Sequence, residues 1–432
     1  MLPAVALLLA AASLPPIRFS DQRLENGLRV IISEDRTAPV FAICVTYHVG
    51  SKDERPGRTG FAHLFEHMMF KGSENVGPGE HFYLVFNNGG NMNGTTNKDR
   101  TNYYEILPKN QLDLALFLEA DRMRSLAITP ENLENQRQAV KEERRLNYDN
   151  RPYGTVYERA GELMYDNFAY KHSTIGAMAD LDAATIDDVR EFFKTYYAPN
   201  NATLVLVGDL DTKTTLEKVR KYFGDIPRQE APKAVNLADE PQKQERRATI
   251  PDKFARLARL DVLYKTPSAA EQDFYALYML AQVLGGGESS RLYQTLVKDK
   301  EVAVQASTFA VPQKGPGMFW ISAVARPGKS IEQLESFIAE EVSRLHAAPV
   351  SEQELRRARM RVRREAIQVR QSVLRRAIEF GTNAALFDDP NLINTELDRL
   401  LAVTPAQMQE VARKYLVATA RNVLTTMPAG AR

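Results

Sequence analysis

The sequence predicts an α+β protein made of two homologous domains, each an antiparallel-rich sheet covered by helices. Three observations carry that prediction. Stretches with the two-residue period of a strand alternate with stretches of helical period along the chain. The same order of stretches begins again about 200 residues later. A polar segment with three prolines and no sustained period, 225–250, separates the two series as a linker. At 432 residues the chain is long enough to bury two cores.

Residues 1–17 open with an apolar stretch, Leu2 to Ala12, and continue into small residues and prolines. The stretch is too short to span a bilayer and fits a secretory signal, although the usual basic start is missing. Export to a bacterial periplasm is therefore expected, with a cytoplasmic location as the alternative. No later stretch reaches the roughly twenty apolar residues of a membrane-spanning helix. In the first domain, 18–224, the segments 28–35, 41–51, 101–108 and 201–210 read as strands, and 61–70, 111–126, 130–148 and 185–197 as helices. In the second, 251–432, the strand-like "LARLDVLYKTP" (257–267) answers the early strands and "FYALYMLAQVLGGGESSRL" (274–292) answers the helix at 61–70. The pair 318–327 and 331–345 answers 101–126, and 405–428 parallels 185–210.

Charge and cysteine content narrow the chemistry. Lys plus Arg number 56 and Asp plus Glu 55, so no global field favours nucleic acid or an anionic membrane. The single cysteine, Cys44, lies in a strand-like stretch and reads as a small core residue, which rules out an intrachain disulfide and a thiolate-rich metal site. A metal in this chain would take nitrogen and oxygen ligands.

The segment "FAHLFEHMMF", 61–70, supplies them. It is apolar except for His63, Glu66 and His67, which cost free energy in a core unless partnered. When the turn "KGSE" is aligned with "GGGE" of the second domain, Leu277, Leu280 and Ala281 fall at those three places. The scaffold does not need the polar triplet. Residues four apart share one helical face, so His63 and His67 can direct both imidazoles at one point, as Zn²⁺ requires. Glu66 lies at the edge of that face, placed to act as general base toward a water. The spacing H-x-x-E-H is a zinc-hydrolase pattern. With six histidines in the whole chain, two core histidines satisfied by carbonyls at this spacing would be a coincidence.

A third ligand is expected from "ENQRQAVKEERRL". At 100° per residue Glu143 lies with Leu133, Ala139 and Val140, whereas Glu142 points the other way. Glu143 is the candidate ligand; Glu142, Arg144 and Arg145 read as a solvated face.

With these residues in place, the chain resembles the inverzincin metallopeptidases, the family of pitrilysin, insulin-degrading enzyme and the mitochondrial processing peptidase. The match rests on "HLFEH" (63–67), on Glu143 after 75 intervening residues, and on "NMNGTTNKDRTNYY" (91–104), which resembles the family's substrate-binding edge strand. The resemblance implies a clamshell whose first half holds one Zn²⁺ per chain on His63, His67 and Glu143, with Glu66 as base. It also implies that Asn93 and Gly94 meet the backbone of a peptide substrate, as an edge strand can.

Two departures stand out. Where the family often has a second glutamate, seven residues before the third ligand, this chain has Gln136, which leaves a role behind the ligands without charge. Where active members place an Arg and a Tyr in the second half, this chain has Lys298 and Val304. Lysine lacks the planar guanidinium and valine has no donor, and such transition-state contacts are worth several kcal/mol. The expectation is a zinc endopeptidase for short or unfolded peptides, the catalytic subunit of a heterodimer whose homologous partner, rather than a second copy, supplies the Arg and Tyr. The alternatives are a zinc-binding assembly subunit without turnover and a zinc hydrolase with a different substrate.

Overall fold

The computed structural model describes residues 14–430. The expected signal segment lies, up to residue 13, outside the described residues. Two sheets form, one from each half. The first has the order β1 (Ser20–Arg23), β2 (Arg29–Glu34), β6 (Ala202–Gly208), β3 (Val40–Tyr47), β5 (Thr101–Pro108), β4 (Asn91–Thr96). The second runs β7 (Arg246–Asp252), β11 (Asn422–Pro428), β8 (Arg259–Lys265), β10 (Met318–Ala325), β9 (Ala303–Val311). Strand for strand the orders coincide, β1 being extra. The one parallel pair of the first sheet, β2 with β6, has its counterpart in β7 with β11, and all other pairings are antiparallel. β7 begins inside the polar segment 225–250. It was not legible as a strand because an edge strand half in solvent, with its residues alternately exposed, carries no apolar run.

Five helices position the candidate site and close the two sheets: α1 (Phe61–Met68), α2 (Pro130–Arg144), α3 (Val156–Met164), α4 (Gln272–Gly285) and α5 (Val373–Phe387). α4 is the second half's counterpart of α1, and its Leu277, Leu280 and Ala281 are completely buried.

Strand periodicity decides what covers each sheet. On β3, Phe41, Ile43 and Val45 enter the large core under the first half's own helices, while Ala42 and Cys44 face the other way. That second face is sealed from the other half of the chain: Ala377, Phe380 and Ala384 of α5 pack on Ile31, Ala42, Cys44, Val205 and Val207. The exchange is mutual. Val156, Ala160 and Met164 of α3, from the first half, pack on Leu263, Met318, Trp320 and Leu424 of the second sheet. Small residues on the strand and Gly381 on α5 permit the close approach, since a Cβ at Gly381 would lie 2.2 Å from Thr46 Oγ1. The halves are thus interlocked by one helix each way. Cys44 is fully buried and its thiol is pushed up to about 12 by burial, so it is an inert core side chain.

Candidate metal centre

α1 is short, apolar and buried through Phe61, Ala62, Leu64, Phe65 and Met68, which leaves one polar edge. His63 and His67 lie on that edge with ring centroids 4.8 Å apart. α2 crosses beside it, capped at Thr129 with proline at its first turn, and brings Glu143 to the same point. Glu143 Oε2 is 3.2 Å from His67 Nε2 and 3.6 Å from His63 Nε2. Ligand atoms of all three lie within 4.8 Å of one another. A tetrahedral ion with bonds of about 2.0–2.1 Å needs its donors about 3.3 Å apart, so the donor set fits zinc in type, number and spacing.

The electrostatics agree with that fit. Burial, then the neighbouring His67, push the His63 ring down to about 4, so at neutral pH it is uncharged, as a ligand imidazole is. The hydrogen bond with His67 holds the Glu143 carboxyl below its ordinary range, and Asn147 assists. Glu142, one residue earlier, turns to solvent and bonds Arg145 at 3.0 Å. Arg144 departs from expectation. It is not on a solvated face: its guanidinium donates to Glu158 on α3 at 3.0 Å and to the Gly176 carbonyl at 2.5 Å, tying α2 to neighbours that sequence periodicity does not reveal.

Glu66 lies one turn along from His63, largely buried. Burial raises its carboxyl above the ordinary value, while the Thr96 hydroxyl, donating to Oε2 at 2.6 Å, opposes the rise. Thr96 comes from β4, the outermost strand of the first sheet, and no spacing signal in the sequence marks it. Asn93 and Gly94 lie on the same strand. Asn93 is exposed and its Oδ1 accepts from the Gly94 N–H at 2.8 Å; Gly94 runs directly beneath Glu66. His63, Glu66, Gly94 and Glu143 open on a cavity of about 450 Å³ that the second half lines with Val311, Pro312 and Gln313. Gln136 is buried on α2, and its amide bonds Asn135. Lys298 lies with its Nζ over the Tyr293 ring, and Val304 is exposed on β9.

A second group with ligand spacing, His81, Glu105 and Glu119, is wholly buried. Arg122 already occupies it, bonding Glu119 through Nε and Nη2 and stacking over Tyr103, while His81 Nε2 lies 2.6 Å from Glu105 Oε1. The guanidinium is the cation of that cluster, which leaves the α1–α2 cluster as the candidate metal centre.

Comparison with known proteins defines the class. Residues 29–177 match the family model described as Insulinase (Peptidase family M16), and residues 183–362 match Peptidase M16 inactive domain. The chain belongs to peptidase family M16. It is 31% identical over 335 residues to the zinc protease PqqE of Helicobacter pylori, covering 77% of this chain and 76% of that protein. It is 25% identical to an uncharacterized zinc protease, YmxG, of Bacillus subtilis, covering 90% and 94%. The crystal structure of a protease from Helicobacter pylori superposes with a TM-score of 0.92 at 28% identity, over 96% of this chain and all of that one. An M16 inactive domain from Pseudomonas fluorescens shares the fold, with a TM-score of 0.83 at 18% identity over 96% and 99%. Among the described residues no helix is long and apolar enough to cross a membrane.

Proposed function

We propose that this chain is a zinc metalloendopeptidase, with His63, His67 and Glu143 as the metal ligands and Glu66 as the general base. The observation that carries the reading is the convergence of two imidazoles and one carboxylate from α1 and α2 at zinc spacing, with a second carboxylate one turn away. Zinc, when bound, supplies Lewis-acid chemistry that polarises a scissile carbonyl and acidifies water. The chain's own residues do the rest. Glu66 Oε2 is taken by the Thr96 hydroxyl, so Oε1 is the atom left to accept a proton from the attacking water. β4 pairs with β5 on one side and leaves its other edge free to receive a peptide as an added strand, Asn93 and Gly94 lying where that peptide passes Glu66. A cavity of about 450 Å³ between the two halves, lined by both, suits a short extended segment better than a folded surface, which favours short or unfolded peptides as substrates.

Lys298 and Val304, at the places of the family's Arg and Tyr, support the further reading that a homologous partner chain completes the site. The relatives' names include a probable mitochondrial-processing peptidase subunit beta of Arabidopsis thaliana, itself one subunit of its enzyme. Export, guided by residues 1–17, belongs to the same reading. The same two residues favour the second reading, a zinc-bearing subunit that binds peptides without cleaving them.

The test is peptide cleavage and metal content of wild type, Glu66→Gln and His63→Ala, each with and without the co-purifying partner. Wild type is expected to hold one zinc per chain in both states and to cleave with the partner present; full cleavage without it would remove the partner from the reading. Glu66→Gln should hold zinc with cleavage reduced at least a thousandfold, and His63→Ala should lose both. Cleavage untouched in Glu66→Gln would remove Glu66 from the reaction, and zinc without cleavage even with the partner present would favour the binding subunit.

A further inference from the structure

α1 begins in an unusual way. Its N-cap is Gly60, in the left-handed region at φ 85°, with its backbone pressed against Ile175 and Gly176 so closely that a Cβ would lie 2.7 Å from the Ile175 carbonyl. A serine or aspartate, the usual cap, is excluded there. The orphan N–H groups of the first turn are met from outside the helix by Glu54, whose side chain is completely buried. Oε2 accepts from the Gly60 N–H at 2.9 Å and Oε1 from the Ala62 N–H at 2.8 Å. His63 is the very next residue.

Glu54 is itself held. His172 Nδ1 faces the Phe168 carbonyl at 2.7 Å, and a carbonyl only accepts, so Nδ1 carries a proton. Nε2 meets Glu54 Oε2 at 2.9 Å, the Phe168 ring stacks on the imidazole, and the Lys98 ammonium bonds the His172 carbonyl. The chain Phe168–His172–Glu54–α1 therefore runs from the helix at Phe168–Lys171 to the start of the candidate metal helix.

A second, separate observation gives this chain a purpose. Metal-ligating histidines ordinarily have the other ring nitrogen fixed by a hydrogen bond. His63 Nδ1 is buried and has no such partner among the described residues. With no hydrogen bond on Nδ1, the ring's direction depends on its packing and on the backbone that carries it.

We propose that Glu54, braced by His172, is a positioning residue that aims His63 by clamping the first turn of α1. The inference rests on the metal reading proposed for this chain and extends it to two residues that touch neither metal nor substrate. The experiment is a zinc titration of the full chain against a chromophoric chelator, with melting of the metal-free protein alongside, for wild type, Glu54→Gln, Glu54→Asp, His172→Gln, Ser330→Ala and His63→Ala. A glutamine can accept one of the two N–H groups but turns a donor toward the other, so Glu54→Gln is expected to raise the zinc Kd about 10–100-fold. The shorter Glu54→Asp and the brace variant His172→Gln should move it in the same direction by less, and remain available should Glu54→Gln not fold. Ser330→Ala removes a cap from a helix of the second half, Ile331–Ala347, and should lower melting while leaving zinc affinity unchanged. Wild-type affinity in Glu54→Gln, or a loss of affinity in Ser330→Ala that matches its loss of stability, would overturn the clamp. Equal zinc uptake by wild type and His63→Ala would instead overturn the metal reading, and the clamp's purpose with it.

Discussion

Replacing Gly94 by alanine tests the candidate base without touching a candidate ligand. The added Cβ would lie 2.9 Å from Glu66 Cγ and 3.3 Å from both Cδ and Oε1, and these are the three atoms nearest to it. Carbon atoms rest about 3.5–4.0 Å apart, so the methyl must drive the Glu66 side chain away by about 0.6–1 Å. Glu66 can yield toward the cavity, but only by leaving its place over β4. It is largely buried, and a shift stretches the 2.6 Å bond from Thr96. A displacement of about 1 Å at a reacting group costs on the order of a hundredfold in rate. Gly94→Ala is therefore expected to lower kcat/KM for a fluorogenic peptide about a hundredfold, mostly through kcat. Zinc content should be unchanged, because no histidine or Glu143 atom is among those neighbours. Melting should also be nearly unchanged, since Gly94 does not have the positive φ that alanine resists. A variant with wild-type kcat/KM would refute the placement of Glu66 over β4, and a variant that loses zinc would refute the separation of base from ligands.

Two further variants probe the fold that carries the site. Phe380 is fully buried against the first sheet and Phe19, with ring centroids 4.9 Å apart, so Phe380→Ala should cost about 3–5 kcal/mol in urea unfolding. A loss below about 1 kcal/mol would mean that α5 does not seal that sheet. Burial works against ionisation of Glu354, yet Arg291, at 2.6 and 3.0 Å, together with Ser351 holds its carboxyl at about 2 against an ordinary 4.5. A folded-state value below the unfolded one means that the pair's contribution is complete above about pH 4.5 and drains away as pH falls toward 2. Melting temperature of wild type should thus fall more steeply over that interval than that of Glu354→Gln, and parallel curves would contradict the assignment.

The candidate ligands were legible because their signals are local. His63, Glu66 and His67 stand within one turn and a half of an apolar helix, and the choice of Glu143 over Glu142 needs only 100° per residue. The repeat was legible for a similar reason: the periods of 2 and 3.6 survive in each half even where the polar triplet does not. Arg144 shows where such reasoning stops, since its face becomes buried by α3 and Gly176, which arrive from later in the chain. Thr96, Glu54 and His172 carry no spacing signal at all.

By itself, then, the sequence determined which residues are candidates to bind a metal, that the chain is written twice, and that the second copy's α4 replaces the triplet with Leu277, Leu280 and Ala281. Tertiary structure alone decided that the third carboxylate meets the two imidazoles, that Thr96 bonds Glu66, and that each sheet is closed by a helix from the opposite half. The physical reason is range. Periodicity reports what a residue's own helix or strand turns inward, whereas a ligand set, a borrowed helix cap and an exchanged helix depend on how distant segments are brought within a few ångströms of each other.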